Sequence, residues 1–379
     1  MRKLITLLAF LFLGTSLFAQ KKLLPKFVRK MLFEKDSSKH SSFFLLPVLS
    51  SAPETGLEVG ASGLYSFYTD TLHHDDTRVS NIFSYATITT KGQSRLSLST
   101  TYWTPQNKWH YTGAISYINF PFDFYGIGPD TYKADKDHLG QKRFKLNLEA
   151  DKRFGKYVYV GLMAGGFDYK FKNELPGGSF DVNPFVEDRT GGGGLLIGPT
   201  LIFDTRNNNT YTTKGIIITA YYNLMQGIGA NNGYQGGLLN IEAAQFNALG
   251  KRLMLGFDIQ SQDLTGSQSP FYLLPTLGSD EMMRGFYNGR YRDRNLIAGQ
   301  AELRYRLNDR IGIAGFTGAG TVFNSSFNTS NLKPNYGGGL RYFFDVEKGL
   351  TIRADYGFGQ KVPGEERQSG FYLSLGEAF

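Results

Sequence analysis

Long runs of this chain alternate between apolar and polar residues with a period of two. In 143–150, Phe144, Leu146, Leu148 and Ala150 fall on one face, and Arg143, Lys145, Asn147 and Glu149 on the other. Leu96, Leu98 and Tyr102 oppose Arg95, Ser97, Ser99 and Thr101 in the same way. Ala301, Leu303, Tyr305 and Leu307 oppose Gln300, Glu302, Arg304 and Arg306. Leu350, Ile352, Ala354, Tyr356 and Phe358 oppose Thr351, Arg353, Asp355 and Gly357. Successive side chains of a strand point to opposite faces, so this is the strand signature. Many runs reach roughly ten to fifteen residues, against about 5–6 for a soluble strand and about 9–11 for a tilted membrane strand.

Strands are predicted at 42–51, 57–68, 80–90, 93–103, 108–119, 140–153, 157–172, 191–206, 213–226, 235–248, 251–262, 296–307, 311–323, 336–346, 349–360 and 370–379. The count is about sixteen, even as a bacterial barrel requires. Gly155-Lys156, Leu249-Gly250, Asn308-Asp309 and Glu347-Lys348 read as tight turns, while 120–139, 173–190 and 263–295 are long loops. Short turns at one end and long loops at the other are the pattern of an outer-membrane barrel, with the short end periplasmic. The link at 69–79 is long for that rule. The fold expected is all-β, a transmembrane antiparallel barrel over 42–379, its apolar faces toward lipid and its polar faces toward the lumen.

The beginning of the chain agrees. Arg2 and Lys3 precede an apolar run from Leu4 to Leu13, and Ala19 closes the segment, which reads as a signal peptide over 1–19. The run is too short to cross a bilayer as a helix, and beyond it there is no apolar stretch long enough to do so. Residues 20–41 mix Lys21, Lys22, Lys26, Arg29, Lys30 and Lys35 with Leu23, Leu24, Phe27, Val28, Met31 and Leu32. They form a short basic periplasmic segment, either an amphipathic helix on a membrane surface or a solvated tail. There are no cysteines, so an exported chain must be held without disulfides. A ladder closed into a barrel does that. The formal net charge is +8, and the basic residues beyond 41 are scattered along strands. That pattern suits a lumen lining and lipid headgroups, not a nucleic-acid surface.

Enzyme signatures are missing: there is no Gly-x-Ser-x-Gly, no His-Glu-x-x-His and no phosphate loop. His73 and His74, beside Asp75 and Asp76, read as a solvated loop. His110 and His138 suggest at most a rim hydrolase. No catalysis, metal or cofactor is expected.

Loop 263–295 carries Met283-Arg284-Gly285-Phe286 and then Tyr287, Arg290, Tyr291, Arg292 and Arg294. The Arg-Gly-Phe run, after the eleventh strand, resembles the inward-folded loop of BamA/TamA-type barrels, the bacterial surface antigen family. Gly198 to Asn208 (with Asp204 and Arg206), followed by Thr213-Lys214-Gly215, is similar to that family's strand-turn-strand signature. Phe124-Tyr125-Gly126-Ile127-Gly128 is similar too. The resemblance implies a barrel that helps insert or translocate protein or lipid at the outer membrane. The alternative is a passive channel or a structural barrel. It implies that Arg284 enters the lumen and meets an acid of a Phe-x-Asp-x-Gly pattern on the thirteenth strand. Here that stretch reads Phe316-Thr317-Gly318-Ala319-Gly320, without the acid. Glu302, on the neighbouring polar face, is the expected substitute, with Gly285 turning the tip and Phe286 packing on the wall. Asp204, Arg206 and Gly215 are expected to form a structural network at a turn. Phe379, in line with Phe371, Leu373 and Leu375, resembles the C-terminal signal read by the barrel-assembly machinery. Outer-membrane lipids and lipopolysaccharide are the expected surroundings. Assembly barrels of the family carry periplasmic partner-binding domains, for which 20–41 leaves no room. Activity is then expected from the barrel alone or with a separate periplasmic partner.

Overall fold

The computed structural model describes residues 41–52, 56–70, 77–174, 176–229 and 234–379. The expected signal peptide, nearly all of the basic segment and the His73–Asp76 loop lie outside the described residues. Among the described residues, sixteen long strands form one antiparallel ladder in which each pairs with the next along the chain. They are β1 (Ser42–Ala52), β2 (Gly56–Phe67), β3 (Ser80–Thr89), β4 (Ser94–Trp103), β5 (Trp109–Asn119), β7 (Asp137–Phe154), β8 (Val158–Asn173) and β9 (Gly193–Asp204) in the first half. The second half is β10 (Gly215–Ile228), β11 (Gln235–Ala248), β12 (Leu253–Gly266), β15 (Asn295–Arg306), β16 (Ile311–Phe323), β17 (Lys333–Asp345), β18 (Leu350–Phe358) and β19 (Ser369–Leu375). A short β6 (Phe122–Phe124) extends the β7 edge.

The two ends of the ladder meet. Phe44 of β1 sets its ring edge-on to Phe344 of β17 at 4.6 Å, and the Ser42 hydroxyl donates to Asp345 Oδ2 at 3.2 Å. Leu64 of β2, Leu350 of β18 and Leu375 of β19 belong to the same cluster. The sheet has curled into a barrel.

The alternation dictates which side faces lipid. Leu303 is 44 % exposed on the outside while Arg304, the next residue, is 1 % exposed within. Leu96, Leu98, Leu148, Tyr305 and Leu340 share the outer face. In water this apolar band would be a liability; against hydrocarbon it is the stabilising surface.

Two expectations are corrected here. The loop expected at 263–295 is shorter, because β12 and β15 extend into it, and the remaining 267–294 holds a hairpin of β13 (Thr276–Leu277) and β14 (Tyr291–Arg292). The last strand ends at Leu375, not at Phe379. Gly376 at φ +84°, a conformation open to glycine, turns the tail off the sheet. The long link 68–79, at the end of the short turns, has a packing reason. Its Arg78 amide donates to Asn107 Oδ1 at 2.8 Å, and its guanidinium reaches Asp204 at 2.8 Å.

Candidate functional site

Loop 267–294 enters the lumen. Its outer part is anchored by aromatics. Phe271 packs against Phe124, Phe171 and Phe180, the last on a one-turn helix α1 (Ser179–Val182). Arg292 lies over the Phe122 and Phe124 rings. The Tyr287 hydroxyl accepts from the Asp123 amide at 2.8 Å, and Arg290 pairs with Glu365 at 2.8 Å. Loops 120–136, 174–192 and 359–368 therefore all hold this one.

The tip is Arg284, 0 % exposed. Its Nη2 donates to Glu302 Oε2 at 2.5 Å and its Nη1 to Asp355 Oδ2 at 2.5 Å. Its guanidinium carbon lies over the Phe316 ring, 3.5 Å from the centroid. Arg304 Nε donates to Glu302 at 2.6 Å, and Arg341 reaches both Glu302 at 3.1 Å and Asp355 at 2.5 Å. Arg353 pairs with Asp355 at 3.3 Å and with Asp280 of the loop at 3.1 Å. Glu377, from the tail, takes Arg341 Nε at 2.7 Å. Four arginines, Arg284, Arg304, Arg341 and Arg353, thus meet four carboxylates, Glu302, Asp355, Glu377 and Asp280. Isolated buried charges would be prohibitive; here each is paired and bonded to charged partners.

Glycines make the close approach available. Gly285, at φ +107°, lies so near β18 that a side chain there would meet the Phe358 carbonyl carbon at 2.6 Å. Its amide donates to the Tyr372 hydroxyl at 2.8 Å, and Asn335 Nδ2 donates to the Arg284 carbonyl at 2.8 Å. Phe286 is buried with Met283, Tyr291 and Val322.

Sequence reading brought Arg284, Gly285, Phe286 and Glu302 forward, and the structure places them together. It missed Asp355 as a second acid for Arg284. Asp355 stands two strands beyond the thirteenth of the long strands, β16, and no motif marks it. The available signal was parity, since it shares the polar face of 350–358 with Arg353. Gly318 faces inward but has no free space: a side chain would meet the Gly299 carbonyl oxygen at 2.6 Å. The acid of the usual pattern is therefore replaced from β15 and β18.

At the opposite end, Asp204 accepts from the Arg206 amide at 2.9 Å and from its Nη2 at 2.9 Å. Gly215, at φ +114°, lies against the Thr205 carbonyl. This turn reaches across the mouth: Tyr211 meets Phe343 edge-on at 4.9 Å, and Thr210 donates to the Lys348 carbonyl. Phe379 is not on the outer stripe. It sits inside, 5.7 Å from the Phe246 ring and 4.9 Å from the Arg304 guanidinium. The physical reason is Glu377, whose charge is matched by arginines in the lumen and not by lipid. Between the plugged ends the lumen keeps a cavity of about 790 Å³, lined in part by Arg95, Arg143, Lys145 and Arg292.

A barrel with an apolar outer band and a long loop clasped by wall charges defines a class, the outer-membrane barrels with an inward-folded loop. The Omp85 superfamily domain matches residues 82–379, and the chain belongs to that superfamily. It is an outer-membrane β-barrel protein. Solved structures agree in fold. BamA from Haemophilus ducreyi lacking POTRA domains 1-3 superimposes with a TM-score of 0.55 at 14 % identity, over 89 % of this chain and 70 % of that one. CdiB from Escherichia coli gives 0.54 at 10 % identity, over 88 % and 62 %. CdiB from Acinetobacter baumannii gives 0.51 at 10 % identity, over 92 % and 66 %. No curated protein sequence matches.

Proposed function

We propose that this barrel assists the insertion or translocation of protein or lipid at the outer membrane, without catalysing a covalent reaction. The observation that carries the reading is the occupied lumen. Loop 267–294 is clasped from one end, and turn 205–214 and the C-terminal tail cover the other. A passive pore gains nothing from such a plug, whereas a barrel that handles a client needs parts that can move. The wall supports the same reading. β19 pairs over seven residues and β7 with β8 over sixteen. Seven residues at about 3.3 Å each, tilted by about 40°, cover roughly 18 Å. That is well short of the hydrocarbon thickness of about 30 Å, so the wall at the last strand meets a thinned membrane.

The reading includes a signal peptide removed after Ala19, contact of the outer face with lipid and lipopolysaccharide, and assembly by the barrel-assembly machinery. A separate periplasmic partner is the second route to activity. Vesicles containing the protein should speed the insertion of a urea-unfolded eight-stranded barrel and pass little current in a planar bilayer. Deleting 267–294 should raise the current. Steady conductance of the intact protein with no effect on insertion would favour the passive channel instead.

A further inference from the structure

A second polar cluster lies on the inner wall near the short-turn end. Five residues stand in one register row across five strands. Trp103 of β4 pairs with His110 of β5, His110 with Asp151 of β7, Asp151 with Gly161 of β8, and Gly161 with Thr200 of β9. Glu149 shares the inward face of β7 with Asp151, opposite Thr112. His110, Glu149 and Asp151 each present a donor atom, and the three lie within 4.8 Å of one another. The site-defining contact is His110 Nδ1 to Asp151 Oδ2 at 3.0 Å.

The surroundings hold these donors in place. The Trp103 ring stacks on the imidazole at 4.0 Å between centroids. Thr112 Oγ1 donates to Glu149 Oε2 at 3.0 Å. Gly161 leaves open the space a side chain would fill, so Thr200 reaches across a whole strand and donates to Asp151 Oδ1. Bonded donors behind the ligands are what fixes a metal ligand's orientation.

The charges do not close. Asp151 is fully buried and Glu149 partly so, yet among the described residues neither has a Lys or Arg partner within salt-bridge distance. Nearby Arg78 is taken by Asp204. Two neighbouring carboxylates and one imidazole call for either a shared proton or a cation. A tetrahedral ion with bonds of about 2.0–2.1 Å holds its ligand atoms roughly 3.3 Å apart, close to the His110–Asp151 separation. We infer that His110, Glu149 and Asp151 form a binding site for a divalent first-row transition cation, zinc serving as the probe. One imidazole nitrogen and two carboxylates suit such ions and leave a position for water.

Trp103 supplies the readout. The chain has two tryptophans, so Trp109→Phe leaves Trp103 alone. Zinc added to the metal-stripped, detergent-solubilised barrel should change Trp103 emission with one-to-one saturation. His110→Ala and Glu149→Gln should weaken that binding by about 100-fold or more. Thr200→Val, which removes only a supporting bond, should weaken it by roughly 10-fold. No saturable response in the parent, or unchanged affinity in Glu149→Gln, would overturn the site and leave a shared proton as the explanation. If a variant lacks the fast-migrating unheated band of a folded barrel, zinc X-ray absorption on the parent decides. A shell of one imidazole nitrogen with oxygens supports the site, and failure to retain zinc after desalting refutes it.

Discussion

The inner wall of this barrel carries two polar clusters that treat charge in opposite ways. Around Arg284, four guanidiniums and four carboxylates cancel, every acid touching at least two cations except Asp280. Around Asp151, two acids share one imidazole and two threonine hydroxyls. The first cluster spans β15, β17, β18, the loop and the tail, and so ties parts distant in sequence to one another. The second is confined to the contiguous wall β4 to β9 and ties nothing that the ladder does not already hold. A balanced network acts as a fastening, whereas an unbalanced one leaves a vacancy in charge. The difference is visible in what removal of one carboxylate does to each.

The largest effect is expected from Glu302→Ala. It leaves Arg284, Arg304 and Arg341 one carboxylate short in a buried network, and breaking a buried pair from one side costs about 3–5 kcal/mol. Unfolding in urea, followed by loss of the fast-migrating band, measures it. Glu149→Gln in metal-free protein removes one of two neighbouring like charges and should leave stability unchanged or raised by at most about 1 kcal/mol. Equal losses in the two variants would break the contrast. Next comes Leu303→Arg, beside Glu302 but on the lipid face. Near the midplane it should cost about 2–4 kcal/mol for a reason unconnected with the network, and its effect should add to that of Arg284→Ala.

A smaller loss, about 1–3 kcal/mol, is expected of Gly318→Asp. From the family pattern alone this change looks like restoration of a missing acid and should be tolerated. In the structure the Gly299 carbonyl and Asn335 Oδ1, 2.6 and 2.8 Å from the would-be side chain, occupy the place. Tolerance of Gly318→Asp would show that the β16 wall yields and that the two acids from β15 and β18 are not the only solution. A double-mutant cycle on Arg284→Ala and Asp355→Ala should give a coupling of about 1 kcal/mol or more. Additivity would mean that Arg341 and Arg353 alone satisfy Asp355.

How far the sequence carried these two regions differs for physical reasons. The strands were legible because lipid and lumen impose opposite polarity on adjacent residues. The register of Leu303 and Arg304 needed nothing more. The loop latch was legible through Arg284-Gly285-Phe286, and Glu302 through its face. Asp355 was not, because an arginine at the centre of a barrel can be met from any strand, and periodicity says which face but not which strand. The hairpin Thr276–Leu277 with Tyr291–Arg292 was hidden because two-residue strands have no period. The inward tail was hidden because Phe371, Leu373 and Phe379 share parity in one dimension, and only the turn at Gly376 takes Phe379 off it. The row Trp103, His110, Asp151, Gly161, Thr200 was out of reach for a related reason. It runs perpendicular to the chain, across five strands, and no window along the sequence contains it.

The smallest effect lies at the outer end of the loop, where the Arg290–Glu365 pair joins it to loop 359–368. Burial alone would push the Glu365 carboxyl up; the Lys133 amide and the Arg290 guanidinium outweigh it and hold the carboxyl below the ordinary glutamate value. A carboxylate depressed in the folded state contributes stability that is complete above its unfolded value and is lost as pH falls through the folded one. The contribution should therefore be constant at neutral pH and fade below about 4.5, as loop 359–368 lets go of Arg290. Limited proteolysis scored within 359–368, with a protease active across the range and its rate normalised to an unfolded control, should rise as pH falls and should already be high in Arg290→Gln at neutral pH. The fast-migrating folded band is expected to persist while this cleavage rises, because the strand ladder does not depend on the Arg290–Glu365 pair. If cleavage within 359–368 and loss of the folded band occur together as pH falls, the loop is held as one unit and the distinction between its fastened tip and its lightly pinned outer end fails.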